Sequence, residues 1–164
     1  VVRVLRPATP PSRARTAYDL YTKASGLDED PATYEEAEAL YEEAVRLDPN
    51  LAIAYTNLGN IKFRRGDDAA AQALYERALA LDDRQPEAHY NLGYVMLERG
   101  DARGALPHFE RAVAADPRFS DAHFNLAMAY EQCGYADKAR PHWRRYLELE
   151  PEGTWADIAR QHLR

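Results

Sequence analysis

Apolar side chains recur at helical spacing from about residue 15 to the end of the chain. The stretch 52–64 has an apolar face formed by Ile53, Tyr55, Leu58, Ile61 and Phe63. After a short polar turn, a second apolar face is formed by Ala71, Leu74, Tyr75, Ala78, Leu79 and Leu81. Small alanines let two helices approach closely enough to pack together. The pattern therefore predicts pairs of helices, each pair packed as a hairpin.

The turn inside each predicted pair has its own signature. Gly66 suits the position just after a helix, where glycine adopts the left-handed backbone conformation at little cost. Asp67 follows, and its carboxylate can accept hydrogen bonds from the first N–H groups of the next helix. The order helix, glycine turn, helix and short loop is therefore expected in each unit.

The same residues return at a fixed step of 34. Asn57-Leu58-Gly59 returns as Asn91-Leu92-Gly93 and as Asn125-Leu126-Ala127. Such a step indicates stacked supersecondary units, none of which buries its apolar face alone. The segments expected are 1–14 as an extended stretch and proline-rich linker, 15–51 as a divergent first unit, 52–85, 86–119 and 120–153 as regular units, and 154–164 as a capping helix.

Both ends of the chain depart from the repeat. Residues 1–5 alternate like a strand and precede the linker, which suggests the end of an upstream part of a longer protein. The last helix is expected to cover the apolar end of the stack. The face that it would use carries Trp155, Ile158, Ala159 and Leu163.

Over residues 15–164 the chain resembles the tetratricopeptide repeat family, which shares the step of 34 residues. The resemblance also rests on small and aromatic residues at set offsets: Ala71, Tyr75 and Ala78, then Ala105, Phe109 and Ala112. It implies an all-α fold, a right-handed α-solenoid of helix-turn-helix units with a C-terminal capping helix. It further implies a non-enzymatic scaffold that binds a peptide or helix of a partner protein in a groove lined by the first helices of the units.

The tail of the chain, from Asn125 to Trp155, has a weaker resemblance to the repeat region of bacterial MerR-like regulators. That resemblance implies the partner-sensing C-terminal region of a bacterial transcriptional regulator, and it would account for the stretch before residue 15. It remains an alternative to the scaffold function.

The helical period places a set of polar and aromatic residues on the groove. The expected partner-binding residues are Asn57, Asn60, Phe63, Tyr90, Asn91, Tyr94, Phe124, Asn125 and Met128. The three asparagines that recur with the repeat have amides that can both donate to and accept from the backbone of a bound peptide. They could instead bond to a neighbouring helix. The aromatic residues and Met128 are expected to hold apolar side chains of the partner, with burial in the core as the alternative.

The charge of the chain bears on its partners. The net charge of −6 disfavours direct binding of nucleic acid, because phosphates require a basic surface. Acidic residues are concentrated between Asp28 and Asp48, whereas the part from Lys138 onward is mildly basic. The two ends are expected either to be solvated helix faces or to stack head to tail in a homo-oligomer.

Other classes of protein receive little support. The single cysteine, Cys133, forms no internal disulfide, and no apolar run is long enough to span a bilayer, so a cytoplasmic location without membrane contact is expected. No phosphate loop, HExxH pattern or nucleophile elbow occurs, so no catalytic residue, cofactor or metal is expected. Histidines one repeat apart, such as His89 and His123, are expected to lie too far apart to share a metal ion.

Overall fold

In the computed structural model, residues 11–164 are described, and every regular element in that range is helical. A short 3-10 turn at Pro31–Thr33 separates the first two α-helices. The helices are α1 (Arg13–Ser25), α2 (Tyr34–Leu47), α3 (Ala52–Arg64), α4 (Asp68–Leu81), α5 (Pro86–Glu98), α6 (Ala102–Ala115), α7 (Ser120–Gln132), α8 (Ala136–Leu149) and α9 (Thr154–His162). The strand predicted for residues 1–5 lies outside the described residues.

Consecutive helices pack as hairpins, and the hairpins stack in chain order. The hairpins are α1 with α2, α3 with α4, α5 with α6, and α7 with α8. Each hairpin contacts the next, and α3, α5 and α7 also touch in sequence to form one face, here called the groove face. The all-α prediction is confirmed. Within residues 11–164, no helix combines the length and the hydropathy of a membrane span.

The glycine turns adopt the conformation that the sequence suggested. Gly66, Gly100 and Gly134 have φ angles of 82°, 83° and 81°. Asp67 then caps α4 by accepting a hydrogen bond from the Ala70 N–H at 3.0 Å. At Gly66 and Gly100 a left-handed glycine followed by an aspartate cap thus ends one helix and starts the next, whereas Tyr135 follows Gly134 and provides no side-chain cap.

The glycine in the repeated Asn-Leu-Gly triplet permits close packing within a hairpin. A Cβ atom on Gly59 would lie 2.7 Å from Cε1 of Tyr75, and one on Gly93 would lie 3.0 Å from the ring of Phe109. Both aromatic rings are fully buried. In these two hairpins the second helix therefore packs its aromatic side chain against the backbone of the first.

The first helix begins earlier than expected, at Arg13 rather than at residue 15. The Ser12 side chain accepts a hydrogen bond from the Arg15 N–H at 3.3 Å, which satisfies one free donor of the first turn. The predicted extended segment 1–14 therefore overlaps α1 by two residues.

The last helix packs differently from the expectation for Trp155. Ala156 and Ala159 are fully buried against α8, while the Trp155 side chain is 61% exposed. Alanines let α9 lie close to its neighbour, and an indole does not fit in such a narrow contact. Of the four residues of the predicted face, Ala159 is buried and Ile158 and Leu163 are half-buried, whereas Trp155 is mostly exposed and touches the last hairpin at the ring of Phe124.

Candidate functional site

A cavity of about 480 Å³ opens on the groove face, where α5, α7, α8 and α9 meet. Here it is called the groove cavity. Its walls are formed by Tyr90, Tyr94, Leu97, Glu98, Asp121, Phe124, Asn125, Met128, Gln132, Tyr146 and Trp155. Seven of these eleven residues have large aromatic or aliphatic side chains, which suits an apolar ligand group.

The structure places the nine predicted groove residues in three groups. Five line the groove cavity: Tyr90, Tyr94, Phe124, Asn125 and Met128. Three line a smaller cavity of about 160 Å³ between α3 and α5: Asn60, Phe63 and Asn91. Phe63 meets Tyr94 edge-on with ring centroids 5.8 Å apart, so the two cavities adjoin. Asn57 lines neither of them.

Phe124 is the centre of the aromatic wall. Its ring meets three others nearly edge-on: Trp143 at 4.9 Å, Tyr146 at 5.1 Å and Trp155 at 5.3 Å between centroids. Edge-to-face contacts of this kind fix ring orientation and add to the energy of burial. Phe124 is thus held by the core on one side while its other side faces the cavity.

Two carboxylates, Glu98 and Asp121, are the only charged side chains among the described residues that line the groove cavity. Both side chains are exposed. In a partly apolar cavity their charges are less screened than on an open surface. The groove cavity therefore favours a ligand with positive charge beside its apolar part.

The two tyrosines of α5 keep their hydroxyl protons. Burial, aided by the Asp121 carboxylate, raises the pKa of Tyr90 to about 12. Burial and the Glu98 carboxylate also raise the pKa of Tyr94 above its usual value. Both phenols are therefore neutral at physiological pH and remain able to donate a hydrogen bond.

The three recurring asparagines join neighbouring hairpins. Asn57 Nδ2 donates to the Tyr41 hydroxyl at 3.0 Å. Asn91 Nδ2 donates to Asn60 Oδ1 at 2.7 Å, and Asn125 Nδ2 donates to the Tyr90 hydroxyl at 3.0 Å. Each of these amides therefore uses one N–H to bond to a neighbouring hairpin, as the alternative interpretation expected. An amide nitrogen carries two hydrogens, so Asn125 in the groove cavity keeps a second donor.

The helical period also places Leu97, Glu98 and Gln132 on the groove side, but sequence reasoning missed Asp121, Tyr146 and Trp155 as cavity residues. Trp155 lies beyond the last repeat, so the repeat pattern does not show which way its side chain faces. Tyr146 stands one step of 34 after Ala112, and this replacement of a small residue by a large aromatic one was the available signal. Asp121 lies in the first turn of α7, where an acidic residue is favoured for helix stability alone.

The four repeat-related histidines pair in a way that sequence reasoning did not consider. His89 in α5 meets His108 in α6, with 3.5 Å between their Nδ1 atoms. His123 in α7 meets His142 in α8, with 3.0 Å between Nδ1 atoms. The sequence argument compared histidines one repeat apart, whereas the contacts form within each hairpin. No cluster of three or more metal-ligating side chains occurs among residues 11–164.

Family comparisons cover most of the chain. A family profile described as TPR repeat matches residues 33–66 and 59–100. A second profile, described as tetratricopeptide repeat, matches residues 96–159. Together the matches run from 33 to 159, which is well over half of the chain. None of the curated proteins matches it.

Solved structures give the same fold. YrrB, described as a TPR protein with an unusual peptide-binding site, is 27% identical with a TM-score of 0.75, over 82% of this chain and 69% of YrrB. MamA is 28% identical with a TM-score of 0.70, over 82% of this chain and 73% of MamA. The pilF protein of Pseudomonas aeruginosa shares the fold at 21% identity, with a TM-score of 0.77 over 93% of this chain and 75% of its own.

Proposed function

This chain belongs to the tetratricopeptide repeat family, and from that premise we propose that its groove face binds an extended segment of a partner protein. The segment inserts an apolar side chain into the groove cavity and places basic residues beside it. The observation that carries this proposal is the combination of an aromatic wall with two carboxylates in one cavity.

The apolar part of the partner contacts Phe124, Tyr94, Met128 and Trp155. All four line the groove cavity, and none is fully buried. Partly exposed aromatic side chains that are fixed by packing contacts are common anchors of protein interfaces, because little entropy is lost when a ligand covers them. An apolar side chain that fills this cavity removes their exposed surface from water.

The charged part of the partner is basic. Glu98 and Asp121 line the cavity without any lysine or arginine among its described lining residues. A segment with an arginine or lysine on either side of its apolar residue satisfies these carboxylates. The same charges disfavour nucleic acid and also a segment held by its C-terminal carboxylate.

Polar groups in the cavity hold the backbone of the segment. The second N–H of Asn125 donates to a peptide carbonyl, and the hydroxyl oxygen of Tyr94, whose proton is held by the Glu98 carboxylate, accepts from a peptide N–H. Support for peptide binding also comes from YrrB, whose description includes a peptide-binding site and which is 27% identical to this chain. This assignment replaces the ladder of three asparagines with one asparagine and one tyrosine, because Asn57 lies outside both cavities and Asn91 lines the smaller one.

The test measures fluorescence anisotropy with two labelled synthetic probes. One carries a central leucine flanked by arginines in a glycine-serine background, and the other has glutamates in place of the arginines. The basic probe is expected to bind, whereas the acidic probe is expected to bind much more weakly. Tyr94→Ala with Phe124→Ala should remove binding, since loss of buried aromatic anchors costs about 2 kcal/mol or more each.

Matched controls separate the cavity from general surface effects. Tyr18→Ala removes another tyrosine, 56% exposed on α1, and should leave the affinity unchanged. Glu98→Lys with Asp121→Lys should reverse the preference between the two probes, while Glu29→Lys in the loop after α1 should not. Equal binding of both probes by all variants would refute a binding site in the groove cavity.

The head-to-tail assembly expected from the charged ends is the rival function. Part of the acidic end is paired within the chain, since Glu38 binds Lys62 of α3 and Arg65, the residue that follows α3. Light scattering decides between the two functions: a mass that rises with protein concentration and falls with added salt, without probe binding, would favour assembly. The cytoplasmic location stays a prediction.

A further inference from the structure

The two histidine pairs are built alike, one repeat apart. In each, a histidine of the first helix of a hairpin faces a histidine of the second helix through their Nδ1 atoms, 19 residues apart in sequence. The Nε2 atom of the first histidine contacts a backbone carbonyl in both cases: His89 to Asp83 O at 2.8 Å, and His123 to Pro117 O at 3.1 Å. The same arrangement of two histidines and one backbone carbonyl therefore occurs twice among the described residues.

The carbonyl contacts fix which nitrogen of each first histidine carries the proton. A carbonyl oxygen only accepts, so Nε2 of His89 and of His123 must be the N–H donor. In the neutral ring, Nδ1 then has a free lone pair, and this lone pair faces the second histidine. Histidines that bind metals are usually held in this way, with the other ring nitrogen donating to a carbonyl or carboxylate.

The distance between the Nδ1 atoms suits a shared ion. Two nitrogens that each lie about 2.1 Å from a tetrahedral Zn²⁺ are about 3.4 Å apart. The observed separations of 3.5 and 3.0 Å bracket that value. Because His89 and His123 are only 4% and 7% exposed, their rings are held by packing, while the half-buried His108 and His142 provide the solvent side.

The surroundings of the first pair admit an ion and water. His89 and His108 line an open cavity of about 400 Å³ together with Glu76 and Arg111. The positive charge of the Arg111 guanidinium is balanced by the Asp83 carboxylate, 3.6 Å away. At the second pair, Arg145 is likewise engaged by Glu148 at 2.8 Å. The nearby positive charges are thus balanced by carboxylates.

We propose that each histidine pair binds one divalent transition metal ion of the zinc class through its two Nδ1 atoms, with water completing the coordination. The chain then has two sites, His89 with His108 and His123 with His142, each joining the two helices of one hairpin. On binding, the second histidine of each pair carries its proton on Nε2, so that both Nδ1 lone pairs point to the ion. This inference does not depend on peptide binding in the groove.

The test is calorimetric titration of the chelator-treated chain with ZnCl₂. The expected stoichiometry is two Zn²⁺ ions per chain. His108→Gln and His142→Gln should each reduce it to one, and the double variant should bind none. Zn²⁺ should also raise the Tm of the wild-type chain and leave the Tm of the double variant unchanged, because an ion bound only by the folded state stabilises it.

The fifth described histidine gives the matched control. His162 lies in α9 and belongs to neither pair; its ring stacks on Trp143, and its Nδ1 is 2.6 Å from a Glu131 carboxylate oxygen. His162→Gln should therefore retain both equivalents of Zn²⁺. Absence of saturable Zn²⁺ uptake by the wild-type chain would overturn the proposal. Unchanged uptake by the His108→Gln/His142→Gln variant, with its helical circular dichroism intact, would do the same.

Discussion

The indole of Trp155 meets the ring of Phe124 edge-on, with 5.3 Å between ring centroids and 81° between ring planes. Trp155 belongs to α9 and Phe124 to α7, so this contact joins the capping helix to the last hairpin at the groove cavity. The Trp155 side chain remains 61% exposed. The capping helix thus contributes a largely accessible aromatic wall to the site.

Trp155→Ala should weaken binding of the basic probe about thirtyfold, since loss of an aromatic anchor costs about 2 kcal/mol. It should lower the free energy of unfolding by only about 1 kcal/mol, because mainly the edge-on contact is lost. Anisotropy titration and urea unfolding measure the two effects. Trp155→Phe, which keeps a ring against Phe124, should retain most of the affinity. An unaltered affinity of Trp155→Ala would place the bound segment elsewhere.

Gly59→Ala should destabilise the fold by about 1–3 kcal/mol, the range for an overpacked core. The added Cβ would lie 2.7 Å from Tyr75 Cε1, so the buried ring or α3 must shift. Gly26→Ala is the control, because Gly26 has a φ of −78° and the nearest atom to an added Cβ is 3.5 Å away. Urea unfolding of both variants should show a lower free energy of unfolding for Gly59→Ala alone. Equal stability would show that the hairpin contact is looser than described.

Asn57→Ala and Asn125→Ala should separate the structural and binding roles of the repeated asparagines. Each variant loses one hydrogen bond to a tyrosine of a neighbouring hairpin and should cost about 1 kcal/mol of stability. Only Asn125→Ala should also weaken binding of the basic probe, because Asn125 lines the groove cavity and Asn57 does not. Equal loss of affinity in both variants would restore the view of a continuous asparagine ladder.

Most of the fold could be predicted from the repeat pattern, because the step of 34 residues sets the positions of the glycine turns, the caps and the buried aromatic rings. It also placed five of the groove-cavity residues, because the helical period shows which side of α5 and α7 is not needed for the core. The rest depends on contacts between helices. The rotation of Trp155 is set by how Ala156 and Ala159 pack, and the pairing of His89 with His108 depends on the alignment of two helices within a hairpin. Neither follows from periodicity.

Acid should destabilise the chain through the paired histidines. Burial lowers the pKa of His89, His108, His123 and His142 below 6.5, their value in an unfolded chain. Below pH 6.5 the unfolded chain therefore binds more protons than the folded chain, so this contribution to stability is complete above that pH and is lost as the pH falls. The charged groups near these pairs are Glu76, Asp83, Arg111, Glu110, Asp116, Arg145 and Glu148.

Urea unfolding in the presence of a chelator, from about pH 7.5 to about pH 5.5, measures this dependence across the ordinary histidine pKa. The free energy of unfolding of the wild-type chain should fall over this range. The free energy of unfolding of the His108→Gln/His142→Gln variant should fall less steeply, because two of the four histidines with a lowered pKa are gone. Identical slopes for both chains would mean that other groups govern the acid sensitivity.

The most direct test of groove binding uses tryptophan fluorescence. The sequence has two tryptophans, of which Trp143 is fully buried and Trp155 is exposed at the groove cavity. Saturation with the unlabelled basic probe should shift the emission of the wild-type chain to shorter wavelength, because the ligand removes the Trp155 indole from water. The Trp155→Phe variant should show no shift. A wild-type spectrum that stays unchanged at probe concentrations that saturate the anisotropy signal would contradict binding in the groove cavity.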